Sequence, residues 1–282
     1  MAGSINRIEQ DIATLEEAIA KLAQEFHQAY EVYVMTLSQG VRQQLILASY
    51  HLCTQTYPEA FLQLSVSERQ KLQQGLRHLA QQIQLALCQS LQTPVAFEVG
   101  NLETEEEEEH CSQDDEEIQG ELETPLAVSP SPQPLTPERL LAWQDQIETG
   151  MIQLLNRLSK DANLLLQRFG LLPKKLPEAV LEVASKAEAS SEAVAGPPNL
   201  LQIMIETEDD EDSQTSMVTR LTAIHLRLGE IEFADATVMA RRHQLRHLSG
   251  QLSSIRRDYQ KKLREKAVVQ AESAWRASWY ED

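Results

Sequence analysis

The chain has 282 residues, a formal net charge of −18 and only 5% aromatic residues, a low share for an enzyme of this size, and its three cysteines lack the paired spacing of a disulfide framework. Such a length allows two domains. No run approaches the ~18 apolar residues of a membrane span and no secretory signal opens the chain, so the expected protein is soluble and cytoplasmic, at most peripheral to a membrane.

Ser4 is a candidate cap for a first helix, in which Ile5, Ile8, Ile12, Leu15, Ile19, Leu22 and Phe26 alternate at three and four, the seam of a coiled-coil-like helix. The pattern continues through Tyr30, Tyr33 and Leu37 to Gly40, where a break or kink is expected. Val41 to Thr54 reads as a further helical piece ended by Tyr57-Pro58, and Ser65 with Glu68 fits a capping box before a helix carrying Leu72, Leu76, Leu79, Ile83 and Leu87. Cys53 and Cys88 read as small buried hydrophobes. Residues 1–92 are therefore expected to form an N-terminal helical bundle that folds without the rest. Residues 93–134 follow as a disordered linker, acidic in its centre and Pro- and Ser-rich at its end; Asn101 to Thr124 holds twelve acids and no Lys or Arg.

The remaining residues, 135–282, are expected to form a C-terminal helical domain. Thr136-Pro137 starts a helix that runs through Leu140, Ile147, Met151, Leu155 and Leu158 to a stop at Gly170. A short helix is expected after Pro177. The apolar run Asn199 to Glu206 reads as a packing helix turn, since no second strand is evident to pair with it. An acidic loop over 206–215 has six acids between Glu206 and Asp212. Met217 to Glu232 reads as a helix with Leu221, Ile224, Leu228 and Ile231 on one face. Asp235 then caps a long basic helix over 236–279, with Leu245, Leu248, Leu252, Ile255 and Tyr259 as its seam. Two helices joined this tightly predict an antiparallel hairpin, in which a rod of ~65 Å overhangs its shorter partner by some 40 Å. The fold class is all-α.

In this second half, the segments IHLRLGEIEFADATVMA and AESAWRASWYED resemble uncharacterised helical proteins of cyanobacteria, over residues 137–282. The resemblance implies a cytoplasmic or thylakoid-associated setting and carries no catalytic motif.

Few constellations carry chemistry. His243 and His247 share a helix face, but Gln244, Leu245 and Arg246 between them do not form the HExxH pattern of a zinc helix, and Arg242 and Arg246 repel a cation. His110-Cys111 lies in a carboxylate run that reads as solvated, and residues 208–213 lack the glycine and terminal glutamate of a calcium loop. With no phosphate loop, nucleophile elbow or Cys-x-x-Cys pair, the sequence nominates no enzyme, catalytic residue, cofactor or metal site. What stands out is the rod, with ten Lys or Arg against three acids between Thr237 and Arg276. Arg256, Arg257, Lys261, Lys262, Arg264 and Lys266, followed by Trp275, Trp279 and Tyr280, form the expected partner-binding residues. The leading expectation is a non-enzymatic adaptor, scaffold or assembly factor that docks a protein partner there. The alternatives are an anionic membrane surface and, ranked lower because the acidic tracts compete for the same cations, nucleic acid. A second copy of the chain is a further partner for the coiled-coil helices. The bland alternatives are a solvated basic face and indoles folded back onto Trp143 or Phe169.

Overall fold

The computed structural model describes residues 2–91, 135–173, 197–207 and 217–279. The architecture is all-α with one small two-stranded sheet. Helix α1 runs without interruption over Ala2–His51, about 75 Å at 1.5 Å per residue. Pro58 then forces Tyr57 out of the helical region (φ −124°, ψ 53°), and the last turn, Leu52–Thr56, widens to a π-helix that buries Leu52 and Cys53. The short α2 (Pro58–Gln63) leads to α3 (Val66–Ser90), whose start is a complete capping box: Glu68 N–H donates to Ser65 Oγ at 3.3 Å and Ser65 N–H to Glu68 Oε2 at 2.8 Å.

Helix α4 (Pro137–Arg168) is capped by Thr136 and has Pro137 in its first turn. It ends in a Schellman motif: Leu171 N–H donates to the Leu166 carbonyl and Gly170 N–H to that of Gln167, with Gly170 at φ 75°. Strands β1 (Leu200–Thr207) and β2 (Met217–Ile224) pair antiparallel, Leu201 opposite Ala223 and Ile203 opposite Leu221. Helix α5 (Leu228–Ala234) follows, and Asp235 Oδ1 then accepts from the N–H groups of Thr237 and Val238 to start α6 (Ala236–Ser278).

The expected helix over Met217 to Glu232 is corrected. Its first half is strand β2, its second half is the seven-residue α5, and the apolar run Asn199 to Glu206 is mostly strand β1. Leu221, Thr222, Ala223 and Ile224 are all buried, so the last four residues of β2 are covered on both faces and show no alternation. Its outward backbone edge is closed by side chains. The Asn163 amide donates to the Ile224 carbonyl and accepts its N–H; Tyr57 Oη does the same for Thr222; and Ser159 Oγ accepts Leu226 N–H. Asn199, at φ 61°, links the two ends of the hairpin: its Oδ1 accepts Arg227 N–H, its carbonyl accepts His225 N–H, and its own N–H donates to Glu230.

The hairpin partner of α6 is corrected with it. The long helix packs antiparallel along α1, with Lys266 at Glu9, Lys262 at Asp11 and Tyr259 at Glu16. Gly40 does not break α1. A Cβ there would lie 3.3 Å from Ile231 Cγ2 and 3.4 Å from Val238 Cγ2, so this glycine lets the α5–α6 corner seat closely against the helix.

The buried residues do not divide at the segment 93–134. One core holds Phe26, Tyr30 and Leu37 of α1, Leu72 and Leu87 of α3, Leu140 and Met151 of α4, and Val238, Leu245 and Leu252 of α6. An N-terminal bundle standing alone would lose the α4 and α6 cover of α1. The linker itself, the helix expected after Pro177, most of the acidic loop, His110, Cys111 and Tyr280 lie outside the described residues. A fragment of residues 1–92 is expected to melt broadly and at lower temperature than the full chain in circular dichroism; a sharp melt matching that of the full chain would contradict the shared core.

Candidate functional site

Within α6, Arg242 follows Val238 by four residues and precedes Leu245 by three, so it occupies a position of the buried seam. Its guanidinium is held by the Glu148 carboxylate of α4 through two parallel bonds, Nη1 to Oε1 and Nη2 to Oε2, both at 2.8 Å. Tyr30 Oη of α1 donates to Glu148 Oε1 at 2.9 Å, and Tyr33 Oη donates to Glu232 Oε1 of α5 at 2.5 Å. The Arg242 Nε lies 3.3 Å from Glu232 Oε1, an ion-pair distance without hydrogen-bond geometry. The guanidinium also sits 5.9 Å from the Tyr33 ring centroid, and Trp143 meets Tyr30 edge-on at 5.5 Å. Four helices thus meet at one cation whose side chain is 17% exposed, against 26% for Glu148 and 11% for Glu232.

The electrostatics follow from this geometry. Burial alone would raise the Glu148 carboxyl, but the hydrogen bonds and charge of Arg242, with the Tyr30 hydroxyl, hold it below the usual carboxylate range. Arg242 is pushed further up by Glu148. Burial, reinforced by the neighbouring carboxylates, drives both tyrosine hydroxyls well above their ordinary range, so they stay protonated donors. Burial also pushes the Cys53 thiol up to about 11, which keeps it a protonated apolar filler.

Further along α6 three cations find acids on neighbouring helices. Arg256 Nε contacts Glu138 Oε1 at 3.3 Å, Lys262 Nζ meets Asp11 and Glu265 at 3.0 Å each, and Lys266 Nζ meets Glu9 at 3.0 Å. These three expected partner-binding residues therefore staple α6 to α1 and α4. Arg257, Lys261 and Arg264 are exposed and make no ion pair among the described residues. At about 100° per residue these three, with Val268, Trp275 and Trp279, fall within an arc of about 60° on the side opposite Tyr259. Trp275 and Trp279 are 66% and 63% exposed, and their rings lie 5.6 Å apart. They do not fold onto Trp143 or Phe169. Because Lys266 faces Glu9, the indoles lie past the Ala2 end of α1, an overhang of about six residues or ~9 Å.

His243 and His247 are exposed on the outer face of α6, His247 beside Gln251 at 3.2 Å. Among the described residues no three His, Cys, Asp or Glu side chains group as metal ligands. No helix is long and apolar enough to cross a membrane, again among the described residues. Comparison with protein-family models, with curated proteins and with solved structures finds no match.

In the sequence Arg242 counts only among the cations of the basic rod, and nothing singles out Glu148 or Glu232. Two signals pointed the other way: the seam spacing of Arg242, and the hydroxyls of Tyr30 and Tyr33 on the apolar stripe of α1, which need polar partners when buried. Arg242→Ala is expected to destabilise the protein by about 3 kcal/mol, because Glu148 loses its partner. Arg242→Met combined with Glu148→Leu should cost much less than the two single changes together. Since Glu148 titrates lower in the folded state, its contribution is complete above the ordinary carboxylate value and is lost as pH falls through the depressed one. Urea titrations at neutral and acidic pH should show the gap between wild type and Arg242→Met/Glu148→Leu closing only at the acidic end.

Proposed function

We propose that the protein is a non-enzymatic helical interaction protein, an adaptor or assembly factor, that docks a protein partner on the outward stripe of α6. The observation that carries the reading is that stripe itself: Arg257, Lys261 and Arg264 exposed without ion pairs among the described residues, followed by two neighbouring exposed indoles on a helix stapled to its scaffold. Cations raise the rate of encounter with an acidic surface, and tryptophan supplies burial once contact is made. Stapling by Lys262 and Lys266 means that the stripe need not be ordered on binding, which removes one cost of association. A cytoplasmic setting fits this reading.

A second reading rests on the same indoles. Trp beside Lys and Arg at the end of a helix also suits an anionic membrane surface, where the ring sits at headgroup level. The outward stripe has only Val268 and the two tryptophans as large apolar groups, less than an amphipathic helix lying in a membrane interface presents, so the protein partner ranks first.

Affinity capture from native lysate with mass spectrometry, run in parallel on wild type and Trp275→Ala/Trp279→Ala, tests the reading. The double variant should lose a specific protein at least tenfold while melting within a degree or two of wild type, as expected for exposed residues. A double variant that melts much earlier and captures the same proteins would contradict it. Flotation with phosphatidylserine vesicles, lost in the same variant, would favour the membrane reading.

A further inference from the structure

The cationic half of the α6 stripe has a natural occupant within the same chain. Of the Lys and Arg residues between Arg256 and Lys266, Arg256, Lys262 and Lys266 are matched by Glu138, by Asp11 with Glu265, and by Glu9. Arg257, Lys261 and Arg264 are left facing solvent one helical turn apart, a line of three positive charges over about 10 Å. Close by, the chain carries the opposite pattern. Asn101 to Thr124 holds twelve acids and no Lys or Arg.

The two ends of that segment fix how far it reaches. The described chain resumes at Leu135, and Glu138, three residues on, already touches Arg256 and Gln260 of α6. Lys261 is the neighbour of Gln260. Glu123 is twelve residues before Leu135, and any twelve-residue stretch spans at most about 40 Å when extended. From the start of α4 the three cations therefore lie within reach of the acidic run, and the stretch from Leu91 to Glu103 is of the same length. A tether this short converts encounter into an intramolecular event at an effective concentration near millimolar. Each exposed pair is weak on its own and screened beyond about 8 Å at physiological salt, but twelve acids offer many registers to three cations.

We infer that the acidic segment 103–123 docks on Arg257, Lys261 and Arg264 of its own chain, so that an acidic partner must displace it from the cationic half while Trp275 and Trp279 stay open. The inference deepens the docking reading and rests on the same stripe. It makes the segment a competitor in cis, which selects partners that combine acidic charge with an apolar pocket for the indoles. Acidic character alone would not dislodge the tethered segment.

Zero-length carbodiimide cross-linking of the full chain, read by mass spectrometry on a mixture of light and heavy isotope-labelled protein, tests it. Bonds from Lys262 to Asp11 and from Lys266 to Glu9 report that α6 is seated. The expected result adds light–light and heavy–heavy links from Lys261 to acids within 103–123, falling several-fold in 0.5 M salt and in Arg257→Ala/Arg264→Ala. If the two control links form and Lys261 stays unlinked to 103–123, or links to it only between light and heavy chains, the inference is overturned. The Trp275→Ala/Trp279→Ala capture is read separately, so partner docking can stand if the cross-link fails, and fail if the cross-link forms.

Discussion

Arg242 is a full charge placed in the seam between four helices, and the fold depends on how that charge is satisfied. Taking a guanidinium part-way out of water costs several kcal/mol, offset here by a bidentate carboxylate and a second carboxylate at ion-pair distance from Nε, which itself makes no hydrogen bond. Here the fork of Arg242 meets Glu148 in two parallel bonds, and the two carboxylates nearby are in turn held by Tyr30 and Tyr33. An apolar seam tolerates sliding by a turn; a bidentate pair does not. The junction therefore sets the register of α6 on α1 and α4, and with it the meeting of Lys262 with Asp11 and Lys266 with Glu9, about six to seven turns further along α6.

That register decides which residues of α6 face outward. The helix presents Leu245, Leu248, Leu252 and Tyr259 to the core and the stripe from Arg257 to Trp279 to solvent. At the other end, the small sheet closes the layer. The edge of β2 and the residues just after it are occupied by Tyr57, from the bend between the π turn and α2, and by Asn163 and Ser159 of α4, so the hairpin is bonded to the bundle through its backbone. Asn163 makes the same two bonds to Ile224 that a neighbouring strand would make. A core stretching from Ile12 to Tyr259 and across both sides of the segment 93–134 is the consequence.

Much of this was legible in the sequence, and the parts that were not have physical reasons. Long-range periodicity showed α1, α3, α4 and α6, and the caps at Ser65, Thr136, Gly170 and Asp235 were readable because each uses a local side-chain or backbone rule. The exposed position of Trp275 and Trp279 was one of two readings left open, since spacing alone does not distinguish a free end from a covered one. The sheet was missed because Leu221, Ile224, Leu228 and Ile231 happen to fall at helical spacing while the last four residues of β2 are buried on both faces. Sequence adjacency points to the preceding segment as the partner of α6, whereas the polar junction that selects α1 is built from Tyr30, Tyr33, Glu148, Glu232 and Arg242, residues up to 212 positions apart. No local rule contains that pairing.

Helices on both sides of the segment 93–134 share one core pinned at Arg242 and should unfold as one cooperative unit. Native-state amide hydrogen exchange measures it most directly. The amides of α1 from Phe26 to Leu45 and of α6 from Leu245 to Tyr259 should exchange with the same opening free energy, equal to that of global unfolding, and Arg242→Ala should lower both by the same amount. Separate values for the two helices, with Arg242→Ala affecting only α6, would show two independent folding units and contradict the account.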